Sequence, residues 1–350
     1  MRNYTIILLV LGLLLLLAAA LSICVGALKI HIGELFSILA YRLNLSDQMD
    51  FTRQQEAVFF NLRLPRVMLG ILVGSSLSIS GAAMQGLFRN PLAEPGLIGI
   101  SSGASLFAVL VIVLESRFFS FLSQTLGYHA LAIAAFTGAC LTTFIVYRVA
   151  VFGGRNNIAT LLLVGIAINA LAGSFTGLLT YMANNEQLRT ITFWSLGSLG
   201  GASWKVVSAI LPFVAIPLVG LPFLAKALNA LALGEAQAGH MGVNVQILKR
   251  IVIILATLGV GASVAVSGVI GFVGLVVPHI LRMAFTADNR LILPGSALLG
   301  ACVLVLADLI SRTLVAPSEL PIGILTALIG TPVFIYIILR ERGRSGWQNG

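Results

Sequence analysis

Long apolar runs separated by short polar breaks set the rhythm of this chain. Stretches of roughly 20 residues with almost no charge recur from the first residues onward, the length an α-helix needs to cross the hydrocarbon core of a bilayer. Ten such segments can be placed, near 5–28, 65–88, 96–114, 130–150, 158–182, 204–224, 247–268, 270–286, 292–314 and 320–340. The breaks between them carry Pro, Gly, Asn and isolated charges, the residues that end helices. Residues 31–61 are polar and mixed in charge, with an amphipathic stretch over Ile32–Tyr41 that predicts a short helix in the first loop. No solenoid-type period and no low-complexity tract interrupts the pattern. The sequence therefore predicts an all-α, polytopic membrane protein of about ten transmembrane helices, with residues 1–350 forming one domain.

Composition supports that reading. Hydrophobic residues fill 58% of the 350 positions and charged ones 9%, and mean hydropathy is +1.03, more apolar surface than a soluble core can hide. The net charge of +9 raises nucleic acid as a partner, but the basic residues stand singly between apolar runs, which fits the positive-inside rule and not a nucleic-acid surface. With an even number of spans and the N-terminus inside, the inner loops hold twelve basic residues against four acids, a net +8. The outer loops hold nine basic residues against seven acids, so both termini are expected in the cytoplasm. The first run resembles a signal peptide in its Arg2, Leu-rich stretch and following small residues, but it is longer than a usual signal core, and a retained span is expected. Cys24, Cys140 and Cys302 all fall within apolar segments, where a thiol acts as a small hydrophobe; neither a disulfide nor a metal site is expected.

Several local patterns carry chemistry. In the second run Gly70, Gly74, Ser75, Ser78, Gly81, Ala82 and Gly86 recur at helical spacing, a pattern that serves close helix packing or the lining of a wide pore. The helix must then break at Arg89-Asn90-Pro91-Leu92-Ala93-Glu94-Pro95-Gly96, since two prolines remove donors and fix φ. Arg63 and Arg66 open the second run and Arg312 closes the ninth, all on the outer side, where the insertion rule disfavours cations. They suit bidentate binding of carboxylates or snorkelling to headgroups, and Arg312 also stands one turn from Asp308. The loop 226–250 is the longest inner one, with small residues at helical spacing and Gly234, Gly239 and Gly242 as breakers, and it predicts two short surface helices. His279 lies within a span with no His, Cys or carboxylate at metal-ligand spacing and reads as a core histidine. No GxxxxGK[ST] phosphate loop occurs, so the chain is not expected to hold nucleotide by that means or to be an enzyme.

The run RLPRVMLGILVGSSLSISGAAMQGLFRNPLAEPGLIGISSGAS from Arg63, with GEAQAGHMGVNVQILKR from Gly234, SGVIGFVGLVVPHILR from Ser267, DNRLILPG from Asp288 and ELPIGILTALIGTPVFIYIILR from Glu319, resembles the FecCD-type permeases of ABC importers for iron chelates, haem and cobalamin. The resemblance implies the type II importer fold of the cobalamin permeases. It implies a homodimer around a central pathway, two separate ABC ATPase subunits, an external substrate-binding protein, the cytoplasmic membrane as location and no cofactor. Residue by residue it implies docking of the binding protein on Arg63, Arg66 and Arg312, and an inner gate at Asn90, Pro91 and Leu92. It also implies ATPase coupling through Gly234, Glu235, Ala236 and Gly242, a second constriction at 151–157 where Ile158 and Ala159 are apolar, and an external half-helix over 186–201. GLFRNPLAEPGLIGISSGA looks most like haem permeases, which puts haem first, ferric siderophores next and cobalamin after them. The rival class is an ion-coupled secondary transporter, which would need unpaired intramembrane acids; only Asp308 qualifies, and Arg312 is near it. A membrane receptor or scaffold would leave the inner loop and the glycine-rich run unexplained.

Overall fold

The computed structural model of the protein describes residues 4–26, 28–45, 50–114, 129–151 and 158–346, apart from the side chains of 337, 338 and 340–346. Of the expected second constriction at 151–157, residues 152–157 lie outside the described residues.

All regular structure among the described residues is helical. Seven helices are long and apolar enough to cross a membrane: α1 (Tyr4–Cys24), α3 (Arg53–Phe88), α5 (His129–Ala150), α6 (Ile158–Tyr181), α8 (Trp204–Phe223), α11 (Val245–Ser267) and α13 (Asn289–Thr313). Three more apolar helices, α4 (Ile100–Leu114), α12 (Val273–Ala284) and α14 (Ile322–Gly346), complete the ten expected segments. Four shorter ones sit in the connections: α2 (Ile32–Arg42), α7 (Asn185–Ser195), α9 (Ala225–Ala232) and α10 (Glu235–His240).

The centre of the bundle is α3, whose apolar window is 89% buried against 22% for α1 and 17% for α6. Helices α13, α11, α8 and α12 surround it. Pro65 stands within α3 without breaking it, because the preceding turn Phe59–Arg63 is π-helical and absorbs the missing donor and the ring's clash with the carbonyl four residues back. The small residues of α3 serve close approach. A Cβ on Gly74 would collide with the carbonyl of Gly300 on α13, and one on Gly81 with that of Gly274 on α12. Backbone thus meets backbone on two sides of α3, the contact that drives association where lipid offers no hydrophobic gain.

Two of the apolar helices are short. At 1.5 Å per residue, α4 and α12 reach about 22 and 18 Å, less than a hydrocarbon core of about 30 Å. Irregular backbone precedes each. Arg89 leaves α3 in the left-handed region at φ 52°, a 3₁₀ turn covers Pro95–Ile98, and Gly99 at φ 91° starts α4. Before α12, Gly268 (φ 69°) and Phe272 (φ 67°) turn the chain. Irregular backbone in a membrane protein needs protein partners. Here Ser198 N donates to Ser267 O at 2.8 Å, Gly323 N to Leu196 O at 2.9 Å, and Asn169 Nδ2 on α6 to Gly96 O at 3.0 Å.

Candidate functional site

Two polar constellations occupy opposite ends of α3. Where α3 resumes after its π turn, Arg66 is the hub. Its Nε lies 3.0 Å from both carboxylate oxygens of Asp308, and Nη2 lies 2.9 Å from Oδ1. Its outward edge takes Glu319, with Nη1 at 2.8 Å from Oε1 and Nη2 at 2.9 Å from Oε2. Asp308 is thus held mainly by Arg66, and the sequence-expected partner Arg312 stands farther off, its Nε at 3.7 Å. Glu319 had no role in the sequence reading, since 253 positions separate it from Arg66 and no helical spacing links them. The Arg66 guanidinium bonded to Glu319 holds that carboxyl below the ordinary glutamate range.

Arg63 and Arg312 have turned inward. Arg63 donates to the carbonyls of Ile23, Cys24 and Leu28, and Arg312 to the carbonyl and hydroxyl of Ser22. Both cations therefore finish the C-terminal end of α1, where unpaired carbonyls attract positive charge. All three arginines, with Asp308 and Glu319, line one cavity of about 670 Å³.

At the other end, the break after α3 presents Asn90, Pro91 and Leu92 to the exterior. Asn90 Oδ1 accepts from Leu92 N at 2.9 Å, an Asx turn that leaves the Leu92 side chain 43% exposed. Ala93 and Ile98 beyond it are buried. Burial raises the Glu94 carboxyl above its ordinary range.

The loop 226–250 forms the two expected short helices, α9 and α10. Gly234 at φ 127° and Gly242 at φ 83° bracket α10, and both need a conformation that side chains disfavour. Ala236, Gly239, His240 and Gly242 face outward, joined by Leu233 and Met241, which are 66% and 63% exposed. Sequence reasoning missed those two apolar side chains. Glu235 instead faces the bundle, its Oε1 2.7 Å from the buried Lys249 Nζ on α11.

A polar chain runs from this loop towards α3. Asn229 on α9 donates to Asp288 at 2.6 Å and accepts from the backbone and side-chain nitrogens of Asn289 at 2.9 and 2.8 Å. Arg282 then bridges Asn289 Oδ1 at 2.9 Å and the carbonyl of Ala82 on α3 at 3.2 Å.

The stretch 186–201, expected to form an external half-helix, is helical in α7 (Asn185–Ser195), capped by Asn184 and tied by Gln187 Nε2 to the carbonyls of Ile112 and Val113 at 3.2 Å each. His279 is buried in α12. Ile158 and Ala159 start α6. Among the described residues no cluster of three His, Cys, Asp or Glu side chains could hold a metal ion.

Among the described residues nine further apolar helices accompany the buried, glycine-rich α3, the architecture of a multi-pass membrane protein. The chain matches the FecCD transport family over residues 14–340 and belongs to it. It is 49% identical over 294 residues to the haemin transport system permease HmuU of Yersinia pestis, covering 83% of this chain and 85% of that one. It is 37% identical over 337 residues to the vitamin B12 import system permease BtuC of Shigella boydii, covering 96% and 95%. A solved inward-facing structure of an ABC transporter assigned to the metal-chelate type superposes with a TM-score of 0.82 at 31% identity, over 95% of this chain and 99% of that one. The protein is accordingly a permease of the ABC importer class, a transport component and not an enzyme.

Proposed function

We propose that this permease, a single membrane domain, carries haem inward across the cytoplasmic membrane, with its termini in the cytoplasm. The observation that carries the reading is its 49% identity to a haemin permease across 83% of the chain. Two copies would flank the pathway through α6, which exposes Gly173, Ser174 and Gly177 with nothing within 4 Å of a Cβ built on either glycine. Small residues on an otherwise apolar outer face suit contact with a second helix and not with lipid. The Asn90, Pro91, Leu92 turn would close the inner mouth. Two ATPase subunits would bind the surface around α10, where Gly234 and Gly242 set its shape, Ala236 is in contact and Glu235 anchors it through Lys249. The binding protein would present carboxylates to Arg66 at the cavity rim, with Arg63 and Arg312, bonded to the end of α1, holding that rim in shape. Deleting the permease should abolish growth on haem as sole iron source and spare cobalamin-dependent growth. Loss of the second with retention of the first would favour cobalamin, the cargo named for the 37% identical relative.

A further inference from the structure

The flank between α5 and α11 holds a groove of about 470 Å³ that the transport reading does not use. It opens at the end of the bundle that carries α10. Arg148 and Arg250 stand at its mouth, and Cys140, Phe144, Ile254 and Leu258 line its depth. From Arg148 back to Cys140 the helix rises about 12 Å, so the groove descends from headgroup level into the apolar layer. Its walls face outward, with Phe144 and Ile254 58% and 52% exposed.

Among the described residues no carboxylate pairs with Arg148 or Arg250. Arg148 lies 5.9 Å from the centre of the Phe144 ring, and Arg250 Nε donates weakly to the Tyr147 hydroxyl at 3.4 Å. Deeper in the groove the Thr143 hydroxyl is buried without a hydrogen-bond partner, its residue only 4% exposed. An orphaned hydroxyl in such a place costs about 1–3 kcal/mol unless a ligand supplies the bond.

We infer that this groove binds one phospholipid with an anionic headgroup, its phosphate between Arg148 and Arg250, its ester region at Thr143 and an acyl chain along Cys140 and Leu258. A carboxylate from a protein partner would satisfy the two guanidinium groups but leave both the Thr143 hydroxyl and the apolar depth unfilled; a lipid answers all three. The site also adjoins the coupling element, because Arg250 follows directly on Lys249, the residue that grips Glu235 at 2.7 Å.

The test is the lipid retained by the purified, detergent-solubilised permease, measured by native mass spectrometry after adding phosphatidylglycerol or phosphatidylcholine. Wild-type protein should keep one phosphatidylglycerol in preference to phosphatidylcholine. A basic side chain at a membrane surface contributes about fivefold, so Arg148→Gln with Arg250→Gln should weaken retention roughly twentyfold to thirtyfold. Cys140→Trp fills the groove with both arginines in place and should also displace the lipid, whereas Thr143→Val should weaken it less. Unchanged thermal melting shows that each variant is folded. Equal retention of phosphatidylglycerol in wild type and the double Gln variant overturns the site. Undiminished retention in Cys140→Trp reduces it to diffuse surface attraction and equally overturns it. Loss of ATPase co-purification from the double Gln variant with its lipid intact would assign the arginines to a protein interface instead.

Discussion

Arg66 has its donors committed on two sides, Nε and Nη2 to Asp308 and the outward Nη1/Nη2 fork to Glu319. An incoming carboxylate can pair bidentately with that fork only by displacing Glu319, whose side chain is 43% exposed and free to swing away. Glu319→Gln should therefore tighten binding-protein docking, up to about tenfold, because a competing charge-assisted contact, held to about 1.5 kcal/mol at most by its exposure, is removed. Arg66→Glu should abolish docking. Titration of the binding protein onto the assembled transporter reads both, and weaker docking by Glu319→Gln would show that the glutamate itself belongs to the docking surface. The pH dependence follows from the same pair. The Glu319 carboxyl is depressed by its bond to Arg66, so the stabilisation is present above the ordinary glutamate value of about 4.3 and is lost as pH falls through the lower folded value. Docking should accordingly stay flat between about pH 5.5 and 8 as far as Glu319 is concerned.

At the scale of elements, α10 presents Met241 and Leu233 beside Ala236, Gly239 and Gly242, a small convex surface of apolar and glycine positions. Met241→Glu should lower transport-coupled ATP hydrolysis without unfolding the bundle, since it replaces a side chain that touches little. Normal stimulation of hydrolysis by the loaded binding protein would remove α10 from the coupling surface. Gly81→Val tests the core instead: its side chain would drive into the Gly274 carbonyl, and the backbone cannot yield without moving α12. Overpacking of this kind costs about 1–3 kcal/mol or more, and a lowered melting temperature with reduced membrane yield is expected. Hydropathy made these elements legible but not their phasing. The third apolar run begins at 96, yet α4 starts at Ile100, because a 3₁₀ turn and Gly99 at φ 91° intervene. The eighth run begins at 270, yet α12 starts at Val273, because Phe272 at φ 67° turns the chain first. The glycine breakers that shape α10 were readable from their spacing. The Arg66–Glu319 pair and the Asn229–Asn289–Arg282 chain were not, since each joins residues that only tertiary packing brings together.

Across the whole molecule the two constellations lie at opposite ends of α3, so orientation decides which faces the binding protein and which the ATPase. The charge asymmetry argues for one answer: a net +8 over the loops that the sequence assigns to the inside together with 226–250, against nine basic and seven acidic residues in the others. The structure adds a reason why cations would be tolerated on the outer side. Arg63 and Arg312 are consumed by the carbonyls that end α1, and Arg66 by two carboxylates, so none is a bare charge acting on insertion. A single cysteine at Leu45, 76% exposed after α2, should react with an impermeant thiol reagent in cells whose cell envelope has been opened to small molecules but whose cytoplasmic membrane is intact. A cysteine at Met241, 63% exposed beside α10, should react only after lysis. The wild-type protein supplies the background, since Cys302 is buried and Cys24 and Cys140 are half-buried. Labelling of Met241→Cys from outside, with Leu45→Cys protected, would invert the molecule and assign the arginine rim to the cytoplasm. Labelling of both from one side would leave an even number of crossings between them and require one of the five apolar helices from α3 to α8, of which α4 is the short one, to enter and leave the membrane on the same face.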